Sequence, residues 1–333
     1  MATETDASSM PTPIGDNAPQ ISIIAVLYNQ DKYLPSLLDN IQEQSIKDIE
    51  VVLVDDCSQT PSEELLASPK YATMNIKYMQ NDKRLYLKDS YLKGMKSARG
   101  DLVLFLDPSD QLFKKTALEY HVKKILESDA DILQFRTQTI DDAAAYTAPI
   151  ADTLHGNDIF RKYVESSCGD QTLFGKIIRR SVLMECASLA KSIVKTPCPD
   201  NLLLVSLLYF NAKSYIWSDR IGSIQQSKTY EFTDLLGEMA TCYYMIKELI
   251  PCLVDRGVDD DVVEKFRSFL FNKIQTVLAI VQKFCVVRSA PFDFASSVDR
   301  AIAQLPPYVD HETFLRIILT CLIHVRRTAQ TQS

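Results

Sequence analysis

Two rhythms of apolar and polar positions alternate through the front half of the chain. Ile21–Leu27 (ISIIAVL) is a continuous apolar, β-rich run, which predicts a strand covered on both faces. Leu34, Leu37, Leu38 and Ile41 then repeat at i, i+3, i+4, i+7, the stripe of an amphipathic helix. Ile49–Val54 predicts a second buried strand, Pro61–Ala67 a short helix and Ile76–Gln80 a weaker strand. Leu85–Ala98 reads as a helix with Gly100 as its stop. Leu102–Leu106 is a third apolar strand, Lys114–Glu127 a helix and Asp131–Thr137 another strand.

Strands alternating with helices predict βαβ crossovers and a largely parallel sheet. Ligands in such sheets sit outside the carboxyl ends of the strands. The residues just after each strand therefore matter most. They are Tyr28-Asn29, Asp55-Asp56-Cys57-Ser58 and Asp107-Pro108-Ser109-Asp110, so acidic residues close two buried strands at one edge. The stretch 139–199 is less regular. Leu202–Phe210 predicts a buried helix and Ser214–Trp217 a short strand. From about Tyr230 onward only helices are expected: Glu238–Leu253, Asp260–Val287, Phe294–Gln304 and His311–Arg327. The resulting division is a tail over 1–19, an α/β domain over 20–228, a helical region over 229–328 and a last tail over 329–333.

Composition narrows the chemistry. The 333 residues carry 36 Lys+Arg against 43 Asp+Glu, a net charge of -7, which argues against a nucleic-acid partner. There are only 9 glycines, far below the roughly 7% of average usage. Neither GxxxxGK[ST] nor GxGxxG occurs, so Walker and dinucleotide phosphate cradles are excluded. The eight cysteines form no CxxC and no zinc spacing, and they read as free thiols in a reducing compartment. Met1–Pro19 contains no Lys or Arg, and no apolar run approaches the ~20 residues of a membrane span. The chain reads as soluble and cytoplasmic.

The order of these motifs resembles the family 2 glycosyltransferases, which have the nucleotide-sugar-binding GT-A fold. The shared pattern is an apolar strand ending in Tyr28-Asn29, then Tyr33-Leu34, Gln44-Ser45, Glu50 and Asp55-Asp56-Cys57-Ser58. Ala98-Arg99-Gly100-Asp101 before LVLFLDPSD resembles the family's Ala-x-Gly-Asp, strand, Asp-x-Asp-Asp segment. Gly175–Leu183 resembles an Asn-Lys-x-x-Arg-Arg-Ser stretch, and Cys198-Pro199-Asp200 resembles Gly-Glu-Asp. The likeness runs from about Ile21 to Ile224 and leaves the helical region outside it.

The resemblance implies transfer of a sugar from a nucleotide donor, here uridine-linked, to a hydroxyl acceptor, with inversion. It implies a divalent cation, Mn2+ or Mg2+, near Asp107, Ser109 and Asp110, and Asp200 as general base. Tyr28, Asn29, Asp55, Asp56 and Asp107 are the expected nucleotide contacts; beyond the resemblance, the loop Asn81-Asp82-Lys83-Arg84 and Lys88 are candidates to neutralise phosphates where the metal ligand is weakened. Ser109 stands where the family carries the leading metal-binding carboxylate, and Pro199 where it has an acidic residue. Ser90-Tyr91-Leu92 replaces a common Ala-Arg-Asn. These departures carry the alternative of a catalytically inactive member that binds a nucleotide sugar or a protein partner. The absence of QxxRW and of a membrane segment argues against a processive polysaccharide synthase. A nucleotidyltransferase would need a Gly-rich basic loop after the first strand, and Tyr28–Leu34 has neither Gly nor Arg.

Each candidate has a plainer rival. Asp55 and Asp56 can cap a helix or a turn, Asp107 can belong to a Pro turn, and Asp200 can cap the helix that follows it. Lys83 and Arg84 can be solvated charges, and His121, His155, His311 and His324 read as structural or surface residues. The apolar stripes of the helical region fit an acceptor site, a homo-oligomer contact or a brace for the sheet.

Overall fold

The computed structural model describes residues 18–60, 62–141, 148–166, 171–193, 201–226 and 232–287. Its elements are β1 (Ile21–Leu27), α1 (Leu34–Gln42), β2 (Ile49–Asp55), α2 (Glu63–Leu66), β3 (Asn75–Gln80), α3 (Tyr86–Ser97) and β4 (Leu102–Phe105). There follow β5 (Gln111–Leu112), α4 (Ala117–Ser128), β6 (Ile132–Thr139), β7 (Thr153–His155), α5 (Asp158–Glu165), β8 (Lys176–Arg179), α6 (Arg180–Ile193), α7 (Leu202–Asn211) and β9 (Ser214–Gln225). The chain closes with α8 (Phe232–Tyr244), α9 (Ile250–Asp255) and α10 (Asp260–Val287).

The strands form one sheet in the order β3-β2-β1-β4-β8-β6-β9-β5, with β7 also on β9. β1, β2, β3 and β4 pair in parallel, as the alternation of strands and helices predicts. β8 enters antiparallel between β4 and β6, and β5 and β7 run antiparallel to β9. Every residue of β1 and β2 is buried, because helices cover both faces. α1 and α4 close one face of the sheet over Ile23, Leu53 and Leu104. α3, α6 and α7 close the other over Ile24, Val54 and Phe105.

The sequence pattern misses three features. The stretch 139–199 holds α5, β8 and α6. α5 buries Ile159, Phe160, Tyr163 and Val164, a helical spacing present in the sequence, but β8 has only four residues and runs straight into α6. The strand expected at Ser214–Trp217 continues to Gln225. Its second half follows β6 through register shifts at Phe135–Thr137, and Gly222 lies so close to the Phe135 ring that a Cβ there would sit 2.3 Å from it. The helix expected from Glu238 begins at Phe232 and runs through a π turn at Met245–Leu249 into α9. α10 spans the residues expected. Phe294–Gln304 and His311–Arg327 lie outside the described residues.

α8 and α10 extend the core that lies beneath α5 and α7. Phe266 meets Phe160 edge-on at 5.5 Å, and Arg161 of α5 forms ion pairs with Asp259 and Asp261. Among the described residues no helix is long and apolar enough to cross a membrane.

At the amino edge of the sheet, Glu50 is fully buried. It accepts from Ser22 Oγ (2.6 Å), Arg99 N (2.8 Å) and Arg99 Nε (2.8 Å). Burial pushes its pKa up, but these donors outweigh burial and hold the carboxyl below its usual range. Gly100 N donates to Ser22 Oγ, and a Cβ on Gly100 would stand 2.7 Å from Ser22 N and 2.8 Å from the Ile21 carbonyl carbon. Glu50, Arg99 and Gly100 thus belong to a staple between strands, at the edge away from the acidic turns.

Candidate functional site

The carboxyl edge of β1, β2 and β4 gathers the three turns. Asn29 adopts the left-handed region (φ 53°), where its N–H donates to Ser58 Oγ (3.0 Å) and its Oδ1 accepts from Gln59 N (2.9 Å). Asn29 thereby clamps the β1 turn to the β2 turn. Asp55 is fully buried; Ser58 N donates to its Oδ1 (2.7 Å) and Tyr78 Oη to its Oδ2 (2.8 Å). Burial, then the Asp55 carboxylate, pushes the Tyr78 hydroxyl up to about 12. Cys57, also left-handed (φ 67°), carries a free thiol.

Asp56 is 2% exposed and is surrounded by donors from beyond its own turn. Its Oδ1 accepts from Asn81 Nδ2 (2.9 Å), Leu85 N (2.7 Å) and Ser90 Oγ (3.0 Å), and its Oδ2 from Tyr86 N (2.8 Å). These bonds fix the first turn of α3, where Tyr86 sits at φ 64°. That conformation is costly for an aromatic residue and persists only where its surroundings impose it.

Arg84 is exposed, as a loop charge is expected to be, and it also packs on two rings. Its guanidinium lies 3.7 Å from the centroid of the Tyr28 ring and 4.7 Å from that of Tyr86. Tyr28 remains 37% exposed. Lys83 is exposed. Lys88, by contrast, is 2% exposed, with its Nζ 3.7 Å from Asp89. Burial raises the Asp89 carboxyl, against the pull of Lys88.

The turn after β4 folds on itself. Asp107 Oδ1 accepts from both the N–H (3.0 Å) and the hydroxyl (2.6 Å) of Ser109, and Asp110 N donates to Asp107 O (2.9 Å). Asp110 is buried and accepts from Gln226 N (3.1 Å), just past β9. Tyr91 of α3 lies edge-on to Phe105 at 5.2 Å. Its hydroxyl is driven well above its ordinary value, chiefly by burial and then by the charges of Asp107 and Asp110. The segment Ser90-Tyr91 therefore lies against both turns, Ser90 bonded to Asp56 and Tyr91 packed on Phe105 at the end of β4.

Lys176 opens β8 at this same edge. It is fully buried, and its Nζ donates to Thr172 O (2.6 Å) and Phe174 O (3.2 Å). Phe174 in turn bridges Phe105. Asp200 lies outside the described residues; Asn201, next to it, is the N-cap residue of α7. Tyr86, Asp89, Tyr91 and Lys176 escape a reading based on strand ends. Two of them lie in motif stretches of the sequence, Tyr91 in Ser90-Tyr91-Leu92 and Lys176 in Gly175–Leu183, while Tyr86 and Asp89 carry no such signal. Among the described residues no group of three His, Cys, Asp or Glu converges as a metal site.

Residues 22–186 match the family model for glycosyl transferase family 2. With this edge and this sheet, they form a family 2 glycosyltransferase domain of the GT-A fold. The chain is 26% identical over 113 residues to the glycosyltransferase GlyG of Streptococcus pneumoniae, covering 34% of this chain and 37% of that protein. It is 25% identical over 239 residues to the poly(ribitol-phosphate) beta-N-acetylglucosaminyltransferase TarS of Staphylococcus aureus, covering 69% of this chain and 38% of TarS. The aligned part thus spans well under half of these relatives' own length. The crystal structure of TarS 1–349 with UDP-GlcNAc superposes with TM-score 0.59 at 18% identity, over 86% of this chain and 82% of that one. The Pyrobaculum calidifontis mannosyltransferase PcManGT, in complex with GDP-Man and Mn2+, matches with TM-score 0.51 at 13% identity, over 96% of this chain and 90% of that one.

Proposed function

We propose that the chain transfers a sugar from a uridine-linked nucleotide donor to a hydroxyl acceptor with inversion. The observation that carries this reading is the placing of α3 against both acidic turns: Ser90 donates to Asp56, and the Tyr91 ring packs edge-on to Phe105, two residues before Asp107. A donor lying along this edge would meet a prearranged surface. Tyr28 offers an aromatic face for the base, one side of it covered by the Arg84 guanidinium, which with exposed Lys83 is available for the phosphates. Asp55 and Asp56, whose oxygens are engaged by the chain, act by holding that surface in shape, and Asn29 ties it to β1.

Asp107, Ser109 and Asp110 supply two carboxylates and a hydroxyl in one turn, a donor set that suits Mn2+ or Mg2+ sharing its coordination with a diphosphate and water. When bound, such an ion offsets the charge that builds on the departing diphosphate. The acceptor oxygen forms the new bond to the anomeric carbon as the bond to the diphosphate oxygen breaks. Its proton passes to Asp200, the general base. The donor machinery is assigned to 20–228 and the helical region to 229–328.

A second reading, a catalytically inactive member that binds a nucleotide sugar, is favoured by the Ser109 hydroxyl turned onto Asp107 and by Pro199 beside Asp200. Calorimetric titration with UDP and GDP, each with and without Mn2+, tests both. Metal-dependent UDP binding lost in Asp110→Asn, with UDP-sugar turnover lost in Asp200→Asn, is the expected result. Tight UDP binding without turnover selects the inactive reading, and no nucleotide binding under any condition refutes both.

A further inference from the structure

Between α5, α8 and α10 lies a cavity of about 770 Å³ that the donor reading does not use. Its size falls within the range of about 300–1,000 Å³ common for ligand sites. Val164 and Val277 are buried at its floor beside the half-buried ring of Phe269. Its rim carries the exposed Ser268 and Asn272.

The charges around it are compensated within the chain. Lys273 pairs with Glu238 and donates to Gln171 Oε1 (2.6 Å). Glu165 faces Lys162 at 3.7 Å, Glu264 faces Arg267 at 3.5 Å, and Lys265 faces Asp261 at 3.6 Å. With each cation paired, the cavity has little to draw a phosphate; with each carboxylate paired, it has little to draw a metal ion. What it presents is the half-buried Phe269 ring, stacked on Phe266, among hydrogen-bonding groups. That chemistry suits a neutral, polyhydroxylated chain, whose C–H faces pack on the ring while its hydroxyls meet amides and carboxylates.

The cavity also adjoins the donor edge. Gln171 lies three residues before Phe174, which bridges Phe105, two residues before Asp107. At ~3.5 Å per residue and about 5 Å across the strands, that path is at most roughly 23 Å. We infer that this groove holds the body of a neutral oligosaccharide acceptor, a few sugar units from the reacting hydroxyl. The inference rests on the transferase reading above.

The test is titration of the full chain with cellohexaose, chitohexaose and mannohexaose, with UDP titrated in parallel. We expect at least one hexasaccharide to bind, and Phe269→Ala and Asn272→Ala each to weaken it about tenfold. UDP binding and the thermal midpoint of Asn272→Ala, a change at an exposed position, should stay as in the wild type. Failure of all three sugars to bind, or binding that neither variant weakens, overturns the groove assignment. The UDP arm keeps the two ideas apart: UDP binding without sugar binding sinks the groove alone, and sugar binding without UDP sinks the donor reading alone.

Discussion

Asp56→Asn separates a framing carboxylate from a ligand-binding one. The amide has nearly the same shape, so no cavity opens and the change is one of hydrogen bonding. The best placement keeps an oxygen towards Asn81, Leu85 and Ser90 and turns the new NH2 towards the Tyr86 N–H. A donor then faces a donor, and one charge-assisted bond, worth about 1.5–3 kcal/mol, is lost. The other three bonds persist without the charge, each weaker by some tenths to about 1 kcal/mol. Release of the left-handed Tyr86 returns about 1 kcal/mol. The net loss is about 3 kcal/mol.

Urea unfolding followed by circular dichroism measures this loss, with an unchanged denaturant slope as the check that both states are the same. Amide exchange at Leu85 and Tyr86 should accelerate ahead of the sheet, because these are the N–H groups that lose their acceptor. Arg84 rides on the same turn, so UDP affinity should fall along with stability. A variant within about 0.5 kcal/mol of the wild type, with slow exchange at Tyr86 and UDP binding abolished, would refute the framing role. Asp56 would then be a direct ligand group whose internal bonds give way when nucleotide arrives.

Three further outcomes follow from the same structure. Glu50→Gln should cost about 1–3 kcal/mol at pH 7; since the folded carboxyl sits below its usual range, the Glu50 contribution is present above the ordinary value of 4.5 and fades as pH falls through the lower folded one, so the variant should show a flatter acid limb in pH-dependent unfolding. His121 is 1% exposed and lowered to about 4, chiefly by burial, so the unfolded chain takes up its proton first; stability should fall by about 3 kcal/mol from above pH 6.5 to below pH 4, and His121→Phe should remove that part of the slope. Gly100→Ala drives a methyl against the backbone of Ile21 and Ser22, which cannot give way as a side-chain tip can, and should lower stability by about 2 kcal/mol or more in urea unfolding without changing the order of nucleotide preference.

Much of the fold is legible because the buried strands announce themselves. ISIIAVL and IEVVLV are apolar at nearly every position, short and rich in β-branched residues, which suits a strand with both faces covered. α10 is legible over its full length because its apolar stripe persists to Val287. β8 is not legible: four residues carry too little periodicity, and its antiparallel place between β4 and β6 depends on pairing with distant strands. The second half of β9 is hidden for a related reason. SDRIGSIQ looks like a loop, and it becomes a strand only because β6 shifts register to meet it and Gly222 makes room for Phe135.

The site divides along the same line, between local and remote partners. Asp107 with Ser109, and Asp55 with Ser58, are Asx-type turns closed within three residues, so a turn reading of the sequence anticipates them. The partners that set Asp56 apart come from 25 to 34 positions away, and the Gln226 N–H that meets Asp110 from 116. A carboxylate at a strand end has the same sequence signature whether it awaits a ligand or caps a helix belonging to another crossover. Packing adds what the sequence lacks: Asp56 accepts from the backbone N–H groups that open α3. The consequence reaches Arg84, which shares a short loop with the two backbone N–H groups that Asp56 holds. Its guanidinium lies over Tyr28, so the aromatic face proposed for the base is already partly covered by a cation. Base and guanidinium cannot share that side of the ring. Arg84→Ala should therefore tighten uridine, which gains the ring face, and weaken UDP, which loses a phosphate partner; parallel titrations that move both ligands in the same direction would show that Arg84 does not occupy the base's place.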